Sequence, residues 1–582
     1  MSEKLGFATK ENFETMKTIS RVLVIGGGIA GMQASLDIAN QMIQVYLVDH
    51  AAAIGGAMAK LDKTLPTNDC AICIEAPKMV EVARNEYIEI ITYANITKVE
   101  GTIGNFTVTI EEKPRYIDVS KCSGCGDCFE VCPVKILNEF DHNLGLRGAI
   151  YRYFAQAVPN VATIDMDSCL NCGLCELVCS SGAINRNDKP KIRKIKVCAI
   201  ILATGFEEFD PAVKRNLGYG IYPNIITGMQ FERLLSASGP TEGQVRRLSD
   251  GKIPKTIAWI QCVGSRDVTI NQPYCSRVCC IWANKQAMIA KEHHPEINPY
   301  IFYMDLRAYG KGFEEYYQRG KHDTGINYIR SRPAEINEID NNNLVIYYED
   351  IISAKAAELN VDLVVLSSAI KAPESNKELA EILGVELDDY GFFKEKTVSS
   401  PLETNIDGIY LCGCSAGPKD IPDSVSQASG AASKALAIIA KTNFEVDKEA
   451  VEETSIIFQD MREEEPRIGV FICHCGHNIG GYLDVETVTE YAKRLPKVEF
   501  AINNLFTCSE ATQTLIKKAI QDYNLNRIVV ASCSPRTHES LFRTTCKEAG
   551  LNESLFEMAN IRDQCSWVHQ WQWQKPVYWN HL

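Results

Sequence analysis

The stretch RVLVIGGGIAGMQASLDIANQMIQVYLVD, residues 21–49, predicts a complete β–α–β unit near the start of the chain. An apolar strand, Arg21–Ile25, leads directly into a turn with the pattern G-x-G-x-x-G, at Gly26, Gly28 and Gly31. These glycines let the backbone approach a pyrophosphate at the N-terminus of the next helix. A second strand, residues 45–48, is followed by Asp49, where an acidic side chain can bind a ribose hydroxyl. The alternative is a glycine-rich turn that binds no nucleotide.

Two later segments favour FAD over NAD in this unit. Residues 200–205 form a buried strand that ends in an Ala-Thr-Gly turn at Thr204 and Gly205, common in flavoproteins with two dinucleotide-binding domains. Residues 405–413 resemble the last strand of such folds, although Gly413 is followed by Cys414 instead of the usual Asp. They lead into a predicted helix, residues 424–440, which is rich in small residues and whose N-terminus can face the flavin. We therefore expect an α/β fold, a core of two dinucleotide-binding units with FAD in the first.

Two cysteine runs have the C-x2-C-x2-C-x3-C spacing of bacterial-type ferredoxins, in which the last cysteine of each run ligates the cluster nucleated by the other. The expected ligands of one 4Fe–4S cluster are Cys122, Cys125, Cys128 and Cys179. Those of the other are Cys169, Cys172, Cys175 and Cys132. Buried cysteines or a pair of zinc sites are the alternative, but zinc sites do not repeat this spacing.

A second doubly wound unit begins near residue 255 but lacks a glycine fingerprint. Its first strand is followed by a group of four cysteines, Cys262, Cys275, Cys279 and Cys280. We interpret the group as the ligands of a further cluster, with loss of NAD(P)H binding. Because adjacent cysteines make awkward cluster ligands, a redox disulfide is the alternative.

Strand–helix alternation after residue 467 predicts another parallel sheet, with cysteines after its strand ends. Four thiolates from this part could hold a fourth cluster; the candidates are Cys473, Cys475, Cys508, Cys533 and Cys565. Reactive or merely buried thiols are the alternative. His474 and His538 are expected at the surface or behind the ligands.

The predicted division of the chain follows from these motifs. It comprises a FAD-binding domain in three segments, an inserted ferredoxin domain carrying two 4Fe–4S clusters, a degenerate NAD(P)-like domain, an acidic linker and a C-terminal α/β iron–sulfur domain. In chain order these are 1–113 (FAD), 114–190 (ferredoxin), 191–254 (FAD), 255–395 (NAD(P)-like), 396–443 (FAD), 444–466 (linker) and 467–582 (C-terminal).

Composition narrows the classes of partner. The net charge of −14 argues against nucleic acid and anionic membrane surfaces. No apolar run is long enough for a transmembrane helix, and the first 20 residues lack the apolar core of a signal peptide. The 23 cysteines, many at metal-ligand spacing, favour metal binding in a reducing cytoplasm, and the clusters favour an anaerobic setting.

As a set, these motifs resemble the A subunit of heterodisulfide reductase, an iron–sulfur flavoprotein. The resemblance rests on the two ferredoxin runs and on residues 24–31, 54–56, 61–64, 66–79, 262–280, 417–423 and 471–569. It implies a thioredoxin-reductase-like core with an inserted ferredoxin domain. It also adds further residues to the FAD site, namely Gly55, Gly56, Lys419 and Asp420.

The resemblance also implies a role in electron transfer. Many family members split an electron pair between a high-potential and a low-potential acceptor, and Lys285 would lie near N5 of the flavin; its alternative is a solvated helix lysine. The implied partners are heterodisulfide reductase B- and C-like subunits, hydrogenase- or formate dehydrogenase-type subunits, a small iron–sulfur delivery subunit, ferredoxin, a second A-like chain, or a second copy of this chain in a homodimer. A related flavin subunit belongs to benzoyl-CoA reductase complexes.

The order of domains differs from the family pattern, since the cysteine domain at 473–569 follows the flavin domain here instead of preceding it. This order suggests one half of a divided or duplicated A subunit, or a variant from a different complex. Two other functions remain open. Cys70 and Cys73 could be the dithiol of a self-contained NAD(P)H- or thiol-dependent disulfide reductase, although they could equally be cluster ligands or inert. The C-terminal domain could be a docking module whose tail binds a partner through Trp571, Trp573 and Trp579.

Overall fold

The first sheet of the molecule is built around the strand that opens the predicted β–α–β unit. The computed structural model describes residues 19–440 and 464–568. All five strands of the first sheet run parallel, in the spatial order Ile409–Leu411, Ala199–Leu202, Arg21–Ile25, Gln44–Asp49 and Ile88–Thr92. Segments far apart in sequence thus form one sheet, as a doubly wound flavoprotein core requires.

The side chains of the central strand point alternately to the two faces of this sheet, and each face packs on a different layer. Val22 and Val24 point into a core shared with the helices Ile29–Ala39 and Ile421–Ala440. Leu23 points to the opposite face. That face packs on an antiparallel sheet of three strands, Ala94–Thr102, Asn105–Glu112 and Lys191–Val197. Side chains that alternate in this way bury both faces of the strand.

The ferredoxin-type insert connects two neighbouring strands of the antiparallel sheet. It contains two short helices, Asp127–Glu130 and Leu174–Val178, and two small hairpins, Ile136–Leu137 with Leu146–Arg147 and Ile150–Tyr151 with Thr163–Ile164. The buried Arg115 anchors the insert by donating to the carbonyl of Ala52 (2.8 Å) and to Thr92 Oγ1 (2.7 Å).

The second sheet repeats the layers of the first. Its parallel strands follow the order Ile225–Thr227, Leu363–Ser368, Thr256–Val263, Asn298–Tyr303 and Asn327–Arg330. Ile257 and Trp259 face the helices Gly228–Leu235 and Cys279–His293. The other face packs on an antiparallel sheet of Glu335–Ile339, Asn343–Asp350 and Lys355–Val361. The helix Phe313–His322 packs beside Cys279–His293, whereas Asn376–Leu383 packs on the antiparallel layer of the first sheet.

The third sheet has four parallel strands, in the order Val498–Asn504, Ile468–Cys473, Arg527–Ser532 and Phe556–Asn560. Its helices are Val485–Ala492, Glu510–Asp522 and Pro535–Glu548. The last of these lies against the helix Ala71–Arg84, where Arg84 donates to Thr545 Oγ1 (3.3 Å). The predicted parallel sheet after residue 467 is therefore present, and it contacts the flavin-type core directly.

Two features of the sequence fall outside this description. Most of the predicted linker and the tail with Trp571, Trp573 and Trp579 lie outside the described residues. Within the described parts of the chain, no helix combines the length and apolar character needed to cross a membrane.

Candidate functional site

The glycine turn after the first strand forms a cradle at the N-terminus of the helix Ile29–Ala39. A side chain at Gly31 would place its Cβ 1.8 Å from the carbonyl oxygen of Gly26, so this position requires glycine for close packing. At Gly28 the nearest atom to such a Cβ is 3.8 Å away, which leaves open space beside the helix N-terminus. A pyrophosphate needs this combination of a tight turn and an open backbone, so the residues fit a dinucleotide.

Asp49 supports the turn through its carboxylate. Oδ2 accepts the N–H of Gly27 (2.6 Å) and Oδ1 accepts the N–H of Ala51 (2.7 Å). Each oxygen keeps a second lone pair that a ribose hydroxyl could use. The predicted ribose contact is compatible with this geometry, and the structure adds a role in holding the turn.

The other predicted FAD residues surround the same end of the first sheet. Gly55 pairs with Gly28 in an isolated parallel bridge, and a Cβ on Gly56 would lie 2.9 Å from Gly28 Cα. Gly413 follows the edge strand with a φ of 66°, and its Cβ position faces Ala30. Thr204 and Gly205 follow the strand Ala199–Leu202. Lys419 and Asp420 precede the helix Ile421–Ala440, where Asp420 Oδ1 accepts the N–H of Asp423 (2.8 Å).

The first ferredoxin site brings together the four cysteines predicted for one cluster. A pocket with about 370 Å³ of empty space is lined by Cys122, Cys125, Cys128 and Cys179. Burial raises the pKa of Cys128 to about 12, and Cys125 and Cys122 reinforce the shift. Although burial opposes it, the Ser181 hydroxyl and nearby backbone N–H groups lower the pKa of Cys179. Donors of this kind favour a thiolate, which is the form that binds iron.

The second ferredoxin site has three cysteines on one loop. Burial raises the pKa of Cys175, and the charges of Cys169 and Cys172 act in the same direction because these sulfurs are close. Cys132, the expected fourth ligand, lies in the other run. There the backbone N–H groups of Ile150, Val134 and Ala149 lower its pKa against the effect of burial.

The cysteines of the second sheet form a group at the end of its central strand. Cys262 belongs to that strand, and Cys279 and Cys280 begin the helix Cys279–His293. The hydrogen bond between the adjacent thiols lowers the pKa of Cys280 to about 7 and raises that of Cys279, which also feels Cys262 and Cys275. All four are free thiols in the structure, which therefore does not contain the disulfide that was the alternative for this group.

Lys285 is completely buried, so the alternative of a solvated helix lysine is wrong. Its ammonium donates to Glu232 Oε2 (2.8 Å) and to the carbonyl of Lys63 (2.7 Å). Glu232 is also fully buried, and its carboxylate accepts from Trp282 Nε1 (2.6 Å) and Gln286 Nε2 (2.8 Å). A buried charge pair needs such a saturated set of donors to offset its desolvation. Glu232 was not among the predicted residues, since no local motif marks it.

The cysteine site of the third sheet lies between that sheet and the flavin-type core. The pocket has about 560 Å³ of empty space, and its cysteines are Cys70, Cys73, Cys473, Cys475, Cys508 and Cys533. Cys70 and Cys73 form a disulfide. Of the five predicted C-terminal ligands, Cys565 does not line the pocket. A hydrogen bond from Cys475 lowers the pKa of Cys473 to about 7.

Three further residues belong to this site, and two of them, Asp62 and Arg562, were not predicted there. His538 is only 2% exposed and lines the pocket, so of the two places expected for it the surface is wrong and a place among the cysteines is compatible with the structure; burial lowers its pKa to about 4. Asp62 also lines the pocket, and burial raises its pKa to about 7. Arg562 is 7% exposed and donates from Nη1 to Cys73 Sγ (3.9 Å).

The described residues contain no group of three or more Cys, His, Asp or Glu side chains drawn together around a single ion.

Comparison with known proteins identifies relatives of this chain. The 4Fe-4S dicluster domain family matches residues 121–183. The iron–sulfur A subunit of the CoB–CoM heterodisulfide reductase of Methanocaldococcus jannaschii is 51% identical over 427 residues, which are 73% of this chain and 65% of that protein. The A subunit of the H2/formate:CoB–CoM heterodisulfide, ferredoxin reductase of Methanococcus maripaludis matches with the same identity and the same coverage.

A heterodisulfide reductase A-subunit-like protein of Archaeoglobus profundus is 43% identical over 482 residues, covering 74% of this chain and 68% of its own length. Among solved structures, the thioredoxin reductase of T. acidophilum aligns with a TM-score of 0.41 and 14% identity, over 72% of this chain and 99% of its own.

This chain thus spans about 65% of the length of the M. jannaschii and M. maripaludis proteins. The match to the dicluster family confirms a ferredoxin domain for two 4Fe–4S clusters within an α/β protein. The predicted family resemblance is likewise confirmed: the chain belongs to the family of heterodisulfide reductase A subunits.

Proposed function

We propose that this chain is an electron-transfer subunit of a heterodisulfide reductase-like complex and carries FAD and four 4Fe–4S clusters. The observation that carries the proposal is the turn after the central strand of the second sheet. Four thiols, Cys262, Cys275, Cys279 and Cys280, occupy the place where a nicotinamide nucleotide would need glycines. Thiols there suit iron–sulfur ligation, so electrons would enter and leave through clusters and partner subunits.

The residues of the first sheet would hold the flavin. The turn at Gly26–Gly31 would receive the pyrophosphate, and the small residues Gly55, Gly56 and Gly413 would leave room for the rest of the cofactor. FAD, when bound, supplies the exchange between electron pairs and single electrons. By the family resemblance, Lys285 would lie beside the reacting ring, where its buried ammonium, held by Glu232, would provide a fixed positive charge.

The insert would connect the chain to a partner. Apolar side chains are exposed around its second cysteine run, with Leu170 at 70%, Leu174 at 42% and Leu177 at 83%. Exposed apolar residues in a group favour a protein–protein contact. The names of two relatives include ferredoxin and hydrogen or formate as reactants, so we propose ferredoxin and hydrogenase- or formate dehydrogenase-type subunits as partners, together with electron bifurcation.

The test is quantitation of iron, acid-labile sulfide and flavin in the anaerobically purified native complex, with its subunits identified by mass spectrometry. The proposal expects one FAD and about sixteen irons per copy of this chain after the partners are subtracted. About eight irons would confine the clusters to the insert and contradict the two further sites. Absence of flavin would contradict the function as a whole.

A further inference from the structure

The disulfide between Cys70 and Cys73 faces cysteines that lie about 400 residues away in the sequence. Both sulfurs line the pocket that also contains Cys473, Cys508 and Cys533. The disulfide belongs to the flavin-type core and the other cysteines to the third sheet. Redox-active sulfur is therefore present on both walls of one pocket, which neither part of the chain could form alone.

Arg562 connects the two walls. It follows the last strand of the third sheet, and its guanidinium reaches across the junction to Cys73 Sγ (3.9 Å). Asp563 holds the guanidinium in place by accepting from Nε (2.9 Å). This cation is 7% exposed, and it also lies within the electrostatic influence of Cys475 and Cys533. A buried cation beside a sulfur favours the thiolate over the thiol.

The other sulfur of the disulfide has its own stabilising contact. Cys70 is the N-cap of the 14-residue helix Ala71–Arg84, and its Sγ accepts the N–H of Cys73 (3.3 Å). Negative charge at this position interacts favourably with the helix N-terminus. Charge that develops on Cys70 as the S–S bond breaks is thus stabilised until this sulfur takes a proton, whereas the Cys73 thiolate has Arg562 beside it.

Asp62 provides an acid at the same pocket. Its Oδ2 is buried and has no hydrogen-bond partner among the described residues. The main chain holds Asp62 next to the disulfide, because Ala71 N donates to its carbonyl oxygen (3.0 Å) and Lys63 pairs with Cys70 in an antiparallel bridge. An acid without a partner at this position can give a proton to a sulfur.

We propose that the Cys70–Cys73 disulfide is an internal two-electron acceptor, reduced across this pocket from the cysteine site of the third sheet, with Arg562 as the counter-ion of the Cys73 thiolate. The inference rests on the proposed function, since its reductant is the 4Fe–4S cluster proposed at Cys473, Cys475, Cys508 and Cys533. Two electrons arrive one at a time and the S–S bond breaks. Cys73 becomes a thiolate beside Arg562, and Cys70 becomes a thiol with the proton of Asp62, which is left as a carboxylate.

The redox state of this pair can be read separately from activity. Trypsin cleaves after Lys63 and Lys78, so one peptide, residues 64–78, contains Cys70 and Cys73 and no other cysteine. The full-length, cluster-loaded chain is poised anaerobically at a series of potentials with viologen mediators, then alkylated and digested. We expect the doubly alkylated peptide to appear in a two-electron transition while flavin and iron contents stay constant.

Arg562→Gln is the decisive variant. Because a buried, charged hydrogen-bond donor is lost from the reduced state, we expect the equilibrium constant for reduction to fall at least tenfold, which is a midpoint about 30 mV lower. Arg562→Lys, which keeps the charge, should shift it less and guards against loss of folding. Arg84→Gln is the matched control. It also removes an arginine contact across this junction, but the Arg84 guanidinium contacts Thr545 and Glu548 instead of the disulfide, so the midpoint should be unchanged.

Cys533→Ser tests the route of the electrons. We expect viologen-driven reduction of the disulfide to slow at least tenfold in this variant, with flavin content unchanged. A peptide that stays disulfide-bonded when flavin and clusters are reduced would overturn the inference, as would an unshifted midpoint in Arg562→Gln. Cysteines that resist alkylation until iron is removed would show them to be cluster ligands and overturn it too. Failure of the proposed function is distinguishable, because it appears as missing flavin or iron in the starting protein.

Discussion

Removing the charge of Lys285 should lower the free energy of unfolding more than most single changes around the second sheet. Lys285 and Glu232 are both fully buried and are joined by a hydrogen bond of 2.8 Å. Lys285→Met leaves the Glu232 carboxylate buried without its cation, and breaking a buried pair in this way costs about 3–5 kcal/mol. Trp282, Gln286 and the backbone of Asp62 still donate to Glu232, so we expect the lower half of this range.

The assay is a double-mutant cycle measured by urea unfolding. Tryptophan emission reports on the site directly, since the Trp282 indole donates to Glu232. We expect Lys285→Met and Glu232→Gln each to destabilise the protein. The stability lost in the double variant should be smaller than the sum of the two single losses, by about 2 kcal/mol or more, because the double variant leaves no unpaired charge. Lys291→Met is the control: it lies on the same helix but is partly exposed, and should change stability by about 0.5 kcal/mol or less.

Two results would refute this reasoning. A loss below about 1 kcal/mol for Lys285→Met would mean that the pair is not desolvated as the structure has it. Additive losses in the cycle would mean that the two side chains do not stabilise each other. The unfolding transition of the second sheet must be resolved from those of the other sheets for either conclusion to hold.

Three further predictions follow from the described contacts. Gly28→Ala should keep the melting temperature but lower flavin content, since a Cβ there meets only Gly56 Cα at 3.8 Å, whereas Gly31→Ala should reduce both, because its Cβ would lie 1.8 Å from Gly26 O; equal flavin content in all three proteins would contradict the cradle. Burial raises the pKa of Glu75, whose carboxylate oxygens have no partner among the described residues. The native state therefore holds this proton to higher pH than the unfolded chain, so stability should fall as pH rises above about 4.5, and Glu75→Gln should remove that loss in urea titrations at pH 5 and pH 8; parallel stability curves for the two proteins would rule this out. Cys172→Ser should lose about four irons and the EPR signal of one cluster, with flavin retained, whereas loss of both clusters would show that the two sites of the insert do not form independently.

The local parts of the fold were predictable because their signals are contiguous. The strand Arg21–Ile25 was predicted with its observed bounds, and the next strand, predicted over residues 45–48, extends one residue further at each end, Gln44–Asp49. The helix predicted from Ser424 begins earlier, at Ile421. The Asp420 side chain caps its first turn, a contact that periodicity does not reveal.

The contacts between distant segments were not predictable from the sequence. Periodicity marks which face of an element is buried, but it does not say what lies opposite that face. Lys285 sits in a helix whose sequence contains several charged residues, and only the tertiary structure shows that Glu232 covers it. In the same way, the sequence marks Cys70 and Cys73 as a pair through their spacing. Arg562 and the cysteines of the third sheet become their neighbours only because the third sheet docks on the flavin-type core.

The way in which the insert joins the core has a consequence for how such a protein can arise and be re-engineered. The strand that precedes the insert ends at Glu112, the strand that follows begins at Lys191, and these two residues lie directly opposite each other in the antiparallel ladder. A two-residue hairpin turn could close the same ladder. An ancestor with a plain β-hairpin could therefore have gained both clusters through a single gene insertion at its tip, without rebuilding any strand. By the same geometry, other electron-carrying modules with closely spaced termini could be grafted at this point.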